Sequence, residues 1–199
     1  VSCFGNNDGS IDISVSGGSS LYSYLWSNGD TTEDVTGLVS GTYTIEITDN
    51  NACLFVDTIL ITEPNPLVVD SAIVNNLSCF GGNNGSIDIS VSGGTPFYSY
   101  LWSDGSISED ISSLSAGLYS ILVTDSNGCS SNSNTYTINE PAQIQNIAVV
   151  TSVSCFGNND GSIDISVSGG TPLYSYLWSN SDTTEDVTGL ASGTYTIEI

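Results

Sequence analysis

Cys79–Trp102 reads CFGGNNGSIDISVSGGTPFYSYLW, and its reading decides the fold because the stretch occurs three times. Cys3–Trp26 reads CFGNNDGSIDISVSGGSSLYSYLW, and Cys155–Trp178 reads CFGNNDGSIDISVSGGTPLYSYLW. Cys3, Cys79 and Cys155 are 76 residues apart in turn, and so are Trp26, Trp102 and Trp178. A fixed period of this size marks an array of one small domain. The 199 residues hold about 2.6 periods, which predicts one whole domain between two incomplete ones in an internal piece of a longer chain.

Working outward from the repeated stretch, the side-chain period is two throughout, the period of a strand with one buried face. In Ser10–Ser16, Ile11, Ile13 and Val15 point one way while Asp12, Ser14 and Ser16 point the other, and Gly17-Gly18 ends the run. Tyr22, Tyr24 and Trp26 share one face of the next strand, and Asn28-Gly29 turns it. In-phase aromatics on a central strand usually face the core of a sandwich, so Trp26, Trp102 and Trp178 are expected to be core residues. Thr31–Leu38 reads as a polar pair of short strands. Thr42–Thr48 points Tyr43, Ile45 and Ile47 inward, and Phe55–Thr62 keeps Ile59 and Ile61 in phase.

Glu63-Pro64 and Glu140-Pro141 close their units, and the apolar runs Leu67–Val74 and Ile144–Val150 begin the next ones. The expected domains are therefore 1–64 without its first strand, 65–141 complete, and 142–199 cut before its last strand. About seven short strands, with turn signals every 8–12 residues, predict an all-β chain of tandem immunoglobulin-like antiparallel β-sandwich domains stacked as a rod.

Lys, Arg, His and Met are absent against 22 Asp plus Glu, a net charge of −22. Nothing is available to neutralise phosphate, which argues against nucleic acid and anionic membrane surfaces. No apolar run is long enough to insert into a membrane. Most acid–base, Schiff-base and phosphoryl-transfer chemistry is excluded with the missing side chains. The carboxylate pairs Glu33-Asp34, Glu109-Asp110 and Glu185-Asp186 recur once per domain, which a catalytic pair has no reason to do, so the chain is read as no enzyme. Asn6-Asn7-Asp8-Gly9, with Asp12 beyond it, offers oxygens to calcium, but it lacks the EF-hand spacing and Asp8 becomes Asn84 in the second copy. Asn-Asp-Gly is also a good turn, and no cofactor is expected.

The combination Cys-Phe-Gly, Ser-Gly-Gly, Tyr-x-Tyr-x-Trp, GTYTIEITDNNAC and a closing Glu-Pro resembles the SprB repeat, named after the large gliding-motility surface adhesin of Bacteroidota. The Tyr-x-Trp and Gly-Thr-Tyr-Thr strands also resemble polycystic-kidney-disease-type β-sandwich domains. The resemblance covers essentially the whole chain. Ala52 stands where the second copy has Gly128, and Ser19-Ser20 where the other copies have Thr-Pro. The family implies export by the type IX system, an extracellular filament anchored at the outer membrane, and roles in adhesion and gliding motility.

On that reading the chain is the stalk of a surface filament, its partners being neighbouring repeats of the same chain, surface polysaccharide or other filament subunits. The alternative is a polysaccharide-binding module that stacks sugars on the Tyr22-Tyr24-Trp26 stripe. Four Asp-Ser/Thr triplets, with acceptors Thr31, Thr58, Ser71 and Thr183, resemble the O-glycosylation site used across Bacteroidota.

Five cysteines in such a chain indicate an oxidising compartment. Periodicity alone does not choose between pairing Cys79 with Cys129, inside one repeat, and Cys3 with Cys129, across a junction. In an immunoglobulin-like strand order, Cys79 lies in the loop after the first strand and Cys129 in the loop before the last. Those loops are at opposite ends of the sandwich, over ~20 Å apart for a strand of about seven residues, whereas a disulfide needs Cα atoms within ~7 Å. The expected bridge is Cys3–Cys129, between neighbouring domains, with Cys53, Cys79 and Cys155 paired outside this stretch.

Overall fold

The computed structural model describes residues 1–132 and 134–199. Among the described residues there are strands, turns and bends and no helix. The first copy carries β1 (Gly9–Ile11), β2 (Ser23–Trp26), β3 (Val35–Leu38), β4 (Gly41–Thr48) and β5 (Leu54–Ile61). The second carries β6 (Val68–Asn75), β7 (Gly85–Ser92), β8 (Ser99–Trp102), β9 (Ile111–Leu114), β10 (Gly117–Thr124) and β11 (Asn134–Ile138). The third carries β12 (Gln145–Thr151), β13 (Gly161–Ser168), β14 (Leu177–Trp178), β15 (Val187–Leu190) and β16 (Ile197–Glu198).

Sheet order is the same in each copy: β6-β7-β9 and β11-β10-β8 in the second, β1-β3 and β2-β4-β5 in the first, β12-β13-β15 and β14-β16 in the third. In the second copy β6, β7 and β9 make one sheet and β8, β10 and β11 the other, so the chain changes sheet from β7 to β8, from β8 to β9 and from β9 to β10. The pairs resolved in register are antiparallel. This is the strand order of an immunoglobulin-like sandwich, so the chain is a tandem array of immunoglobulin-like β-sandwiches.

By contact density the chain divides into two compact units. One is Val1–Ile73 with Asp88–Asp110 and Tyr119–Thr135; the other is Val74–Ile87 with Ile111–Leu118 and Tyr136–Ile199. In the first unit, Ile11, Val35 and Leu38 of one sheet meet Trp26, Ile45 and Ile47 of the other in one buried cluster, with Tyr22, Tyr24, Tyr43, Ile59 and Ile61 at its margin. The register sets Trp26 opposite Ile45 and Tyr24 opposite Ile47, so the aromatic stripe and the apolar alternation of β4 fill the same layer. In the second unit, Trp178 of one sheet packs with Ile165, Val187 and Leu190 of the other.

Two expectations from the sequence are corrected. Thr31–Leu38 contains one strand, β3 (Val35–Leu38), and not two, so the second copy has six strands among the described residues. The segment before β3 is held by other bonds: the Trp26 indole Nε1–H donates to the Thr32 carbonyl (2.9 Å), and the Thr32 hydroxyl donates to the Asp34 carbonyl (2.7 Å). A backbone whose groups are satisfied this way has no need of a ladder partner. The second correction concerns GSIDISVS, which is strand over all eight residues in β7 and β13 but over only Gly9–Ile11 in the first copy. β6 and β12 run alongside the longer strands, whereas no strand among the described residues flanks β1 on that edge.

The Ser-Gly-Gly motif has a steric cause. Gly93 and Gly94 have φ of 77° and 58°, and a Cβ on Gly93 would fall 1.8 Å from the Pro66 carbonyl oxygen. Gly94 N–H donates to the Asn65 carbonyl (2.8 Å), so the chain entering the second copy lies directly across the motif. The same crossing recurs at Gly169, where a Cβ would fall 2.0 Å from the Gln143 carbonyl oxygen, but Gly17 has open space. Gly93→Ala is therefore expected to cost well over ~1 kcal/mol, the ordinary cost of a wrong φ, because backbone must also move. Gly17→Ala should cost about 1 kcal/mol, from φ alone. Equal losses in urea unfolding would refute the crossing as the cause.

Candidate functional site

Two loops in the first and second copies and one in the third carry the cysteines, and each is built to present its sulfur. In the Cys-Phe-Gly loop of the first copy, Asp8 accepts the Ser2 N–H at 2.9 Å and the Ser2 hydroxyl. Asn6 N–H closes onto the Cys3 carbonyl at 3.1 Å. Gly5, with φ 74°, donates its N–H to the Glu63 carboxylate at 2.7 Å. Glu140 accepts from Gly81 at the same 2.7 Å. The closing Glu-Pro thus has a role its position did not reveal, since the Glu ties the end of a domain to its first loop. Asn84 takes the place of Asp8 in the second copy, accepting the Ser78 N–H at 3.2 Å, and Asp160 does so in the third.

The calcium candidate Asp8 is thereby engaged as a loop staple, its carboxyl held below the ordinary 3.8 first by the Ser2 hydroxyl and then by the Ser2 N–H. Among the described residues, no three of His, Cys, Asp and Glu cluster closely enough to hold a metal ion.

In the second loop, Asp125 is buried and organises the turn. One of its oxygens accepts the N–H groups of Asn127 and Cys129, each at 2.9 Å, and the other accepts Thr95 N–H at 2.7 Å. Gly128 (φ 82°) donates to the Asp125 carbonyl at 3.0 Å. Asp49 repeats this with Asn51, Cys53 and Ser19. There Ala52 adopts φ 63°, a left-handed conformation costing an L-residue about 1–2 kcal/mol.

Cys3 and Cys129 are joined by a disulfide, with Cα atoms 5.7 Å apart at a sequence separation of 126. The link runs from the first loop of one copy to the last loop of the next. Asn127 reinforces it, its amide donating to the Ser2 carbonyl and to the Thr95 hydroxyl, both at 3.0 Å. A cleft of about 450 Å³ lies beside the bridge, between Phe4, Asn6, Asn65, Leu67 and Asn132. Cys53, Cys79 and Cys155 are exposed thiols in the equivalent loops.

The remaining candidates fall elsewhere. Trp26, Trp102 and Trp178 are 1%, 2% and 4% exposed, each indole donating to a backbone carbonyl six residues on. Thr31, Thr58, Ser71 and Thr183 are exposed, although the Ser71 hydroxyl is hydrogen-bonded to that of Ser90 at 2.7 Å. The recurring Glu-Asp pairs divide. Asp34, Asp110 and Asp186 each accept a backbone N–H from the neighbouring segment of the same sheet, those of Ile13, Ile89 and Ile165. Glu33, Glu109 and Glu185 sit against the phenols of Tyr24, Tyr100 and Tyr176, which burial first and then the carboxylate push above the ordinary 10.0.

These shifts give stability a window in pH. Burial pushes the Asp125 carboxyl up, but the N–H groups of Thr95, Cys129, Asn127 and Gly128 outweigh it and hold the group below its ordinary 3.8. A depressed folded value contributes stability that is full above the unfolded value and lost as pH falls through the folded one. The raised tyrosines act at the other end: their contribution is full below about 10 and lost as pH rises through the folded value. The unfolding midpoint is expected to fall between pH 5 and pH 2, with a shallower slope in Asp125→Asn. A wild-type midpoint that stays flat over that interval would remove Asp125 as the organiser of the loop.

Comparison with known proteins follows the same segments. The family described as SprB repeat matches residues 1–31, 71–107 and 147–183, which together exceed half of the chain. No curated protein matches the chain in sequence. Among solved structures, the N-terminal eight Ig domains of Down Syndrome Cell Adhesion Molecule (DSCAM) isoform 1.30.30 align at TM-score 0.45 and 14% identity, over 78% of this chain and 25% of that one. The amphioxus IgVJ-C2 molecule aligns at TM-score 0.33 and 10% identity, over 67% of this chain and 97% of that one. The chain thus spans about a quarter of the DSCAM fragment. With its three matched segments set on the repeated loops and strands described above, the chain belongs to the SprB repeat family.

Proposed function

We propose that the chain is part of the stalk of a cell-surface adhesin, exported by the type IX system as an outer-membrane-anchored extracellular filament and serving adhesion and gliding. Its domains are 1–64, 65–141 and 142–199, and its work is to hold a distal binding region away from the cell and carry tension to the surface. The observation that carries this reading is the Cys3–Cys129 bond, which ties consecutive copies together and leaves the interior of each copy to packing. A module that acts alone has no use for a covalent tie to its neighbour. The surface of Ser, Thr and Asp without any cation suits a solvated tether that does not adhere to its own kind. The exposed Thr31, Thr58, Ser71 and Thr183 are the acceptors if the filament is O-glycosylated, and intact mass on native filament tests this peptide by peptide.

The rival, a polysaccharide-binding repeat, needs an exposed aromatic platform, and the Trp indoles are buried with their N–H groups engaged. Tryptophan emission is expected to resist aqueous quenchers and to ignore added polysaccharide. Accessible, sugar-sensitive emission would favour the rival. No residue is given a catalytic or cofactor role, and the unfolding midpoint is expected to be the same with calcium as with a chelator. A calcium-dependent rise would reinstate the Asp8 loop as a metal site.

A further inference from the structure

The disulfide closes a loop of 126 residues, whereas the repeat that generates its two cysteines has a period of 76. The span exceeds the period. If each first-loop cysteine reaches the last-loop cysteine of its successor, consecutive closed loops overlap by the 50 residues that separate Cys79 from Cys129. We propose that these disulfides form an overlapping series in which every peptide bond of the array's interior lies inside at least one closed loop. The array then stays in one covalent piece through any single backbone cut, and its lengthening under load is capped.

The inference rests on the stalk reading for its purpose, but its chemistry is independent of it. Cys79 and Cys155 stand exposed in loops organised like that of Cys3, with Ser78 and Ser154 bonded to Asn84 and Asp160 as Ser2 is to Asp8. Cys53 stands in a loop organised by Asp49 as that of Cys129 is by Asp125. Both halves of a junction are thus present and unpaired, Cys79 and Cys155 as the first-loop half and Cys53 as the last-loop half. Closing each bond takes two protons and two electrons from the thiol pair. Exchange with a protein disulfide accepts them, that disulfide leaving as its dithiol.

An intrachain bond inside each copy would protect only that copy, and a cut between copies would sever the array. Overlapping bonds leave no such gap. They also reroute tension. From Cys3 the covalent path crosses to Cys129, follows the 26 residues to Cys155, and crosses again, so most of every two repeats is excluded from it. Domains shielded in this way can unfold without lengthening the array by their full contour.

The absence of Lys and Arg makes the test simple, because one introduced Lys is a unique trypsin site. Ile107→Lys and Thr183→Lys place it at equivalent exposed positions, inside and outside the Cys3–Cys129 span. After trypsin, under denaturing non-reducing conditions, the Ile107→Lys chain should keep its full mass and separate only on reduction. The Thr183→Lys chain should lose its last residues without reduction. In a chain extended by two further copies, the Thr183→Lys cut should be held as well, by the bonds begun at Cys79 and Cys155. Separation of the Ile107→Lys chain without reduction overturns the inference at its root, and release from the extended chain overturns the overlap.

Pulled between its ends, the oxidised 199-residue chain should lengthen less than the reduced chain by about 450 Å, from 126 residues at ~3.6 Å each. Equal lengths would also overturn it. Neither experiment depends on cell-surface location, so failure here leaves the stalk reading to its own quenching test.

Discussion

Replacing both Cys3 and Cys129 by Ser is expected to lower the stability of the first two copies by about 4–5 kcal/mol. The cause lies mostly in the unfolded chain. A bond closing a loop of 126 residues removes conformations from the denatured ensemble, and loop-closure entropy places the effect near ~5 kcal/mol. The folded state changes little, since Asp125 still holds its turn and Glu63 still holds Gly5. Asn127 keeps its bonds to Ser2 and Thr95, so the junction loses its covalent link before its hydrogen-bonded one. The measurement is urea unfolding of wild type and double variant, with reduced wild type as the control. Reduced wild type and the double variant should agree. A loss below ~1 kcal/mol would mean that the bond leaves the denatured ensemble nearly as free as before.

Trp26→Ala is expected to cost about 3–5 kcal/mol, the range for deleting a buried indole. Trp26 is 1% exposed and lies among Ile11, Val35, Leu38, Ile45 and Ile47, which come from both sheets of the first copy. Its loss opens a cavity where the two sheets meet and also frees the Thr32 carbonyl, which fixes the segment leading into β3. A domain of this size has a total stability of roughly 4–11 kcal/mol, so the first copy should be near or past its unfolding point. Trp26→Phe, which keeps one aromatic ring but neither the second ring nor the N–H, should fall between. Loss of the β2–β4 amide protection pattern is the readout. Retained protection in the Ala variant would place the core elsewhere.

The architecture was legible in the sequence for one physical reason: a strand with one wet face prints its burial as an alternation of period two. Tyr22, Tyr24 and Trp26, and Tyr43, Ile45 and Ile47, carry that print, and both sets line the cluster between the sheets. The period of 76 repeats that print in every copy, and an alternation seen three times is not chance. The Cys3–Cys129 pair was within reach as well, once strand order placed the loops of one copy at opposite ends.

What tertiary structure alone decided concerns groups whose partners are remote in sequence. GSIDISVS is three residues of strand in one copy and eight in two others, although the octapeptide is identical, because ladder hydrogen bonds belong to the pair and not to either strand. The Glu-Asp pairs read as two like carboxylates, yet one bonds a backbone N–H of the neighbouring chain segment in its own sheet and the other faces a phenol. Glu63 appeared only to mark a boundary, and its carboxylate ties that boundary to Gly5, 58 residues away. Gly93 looked like a turn glycine, and it is glycine because Pro66 crosses it, which no local pattern could encode.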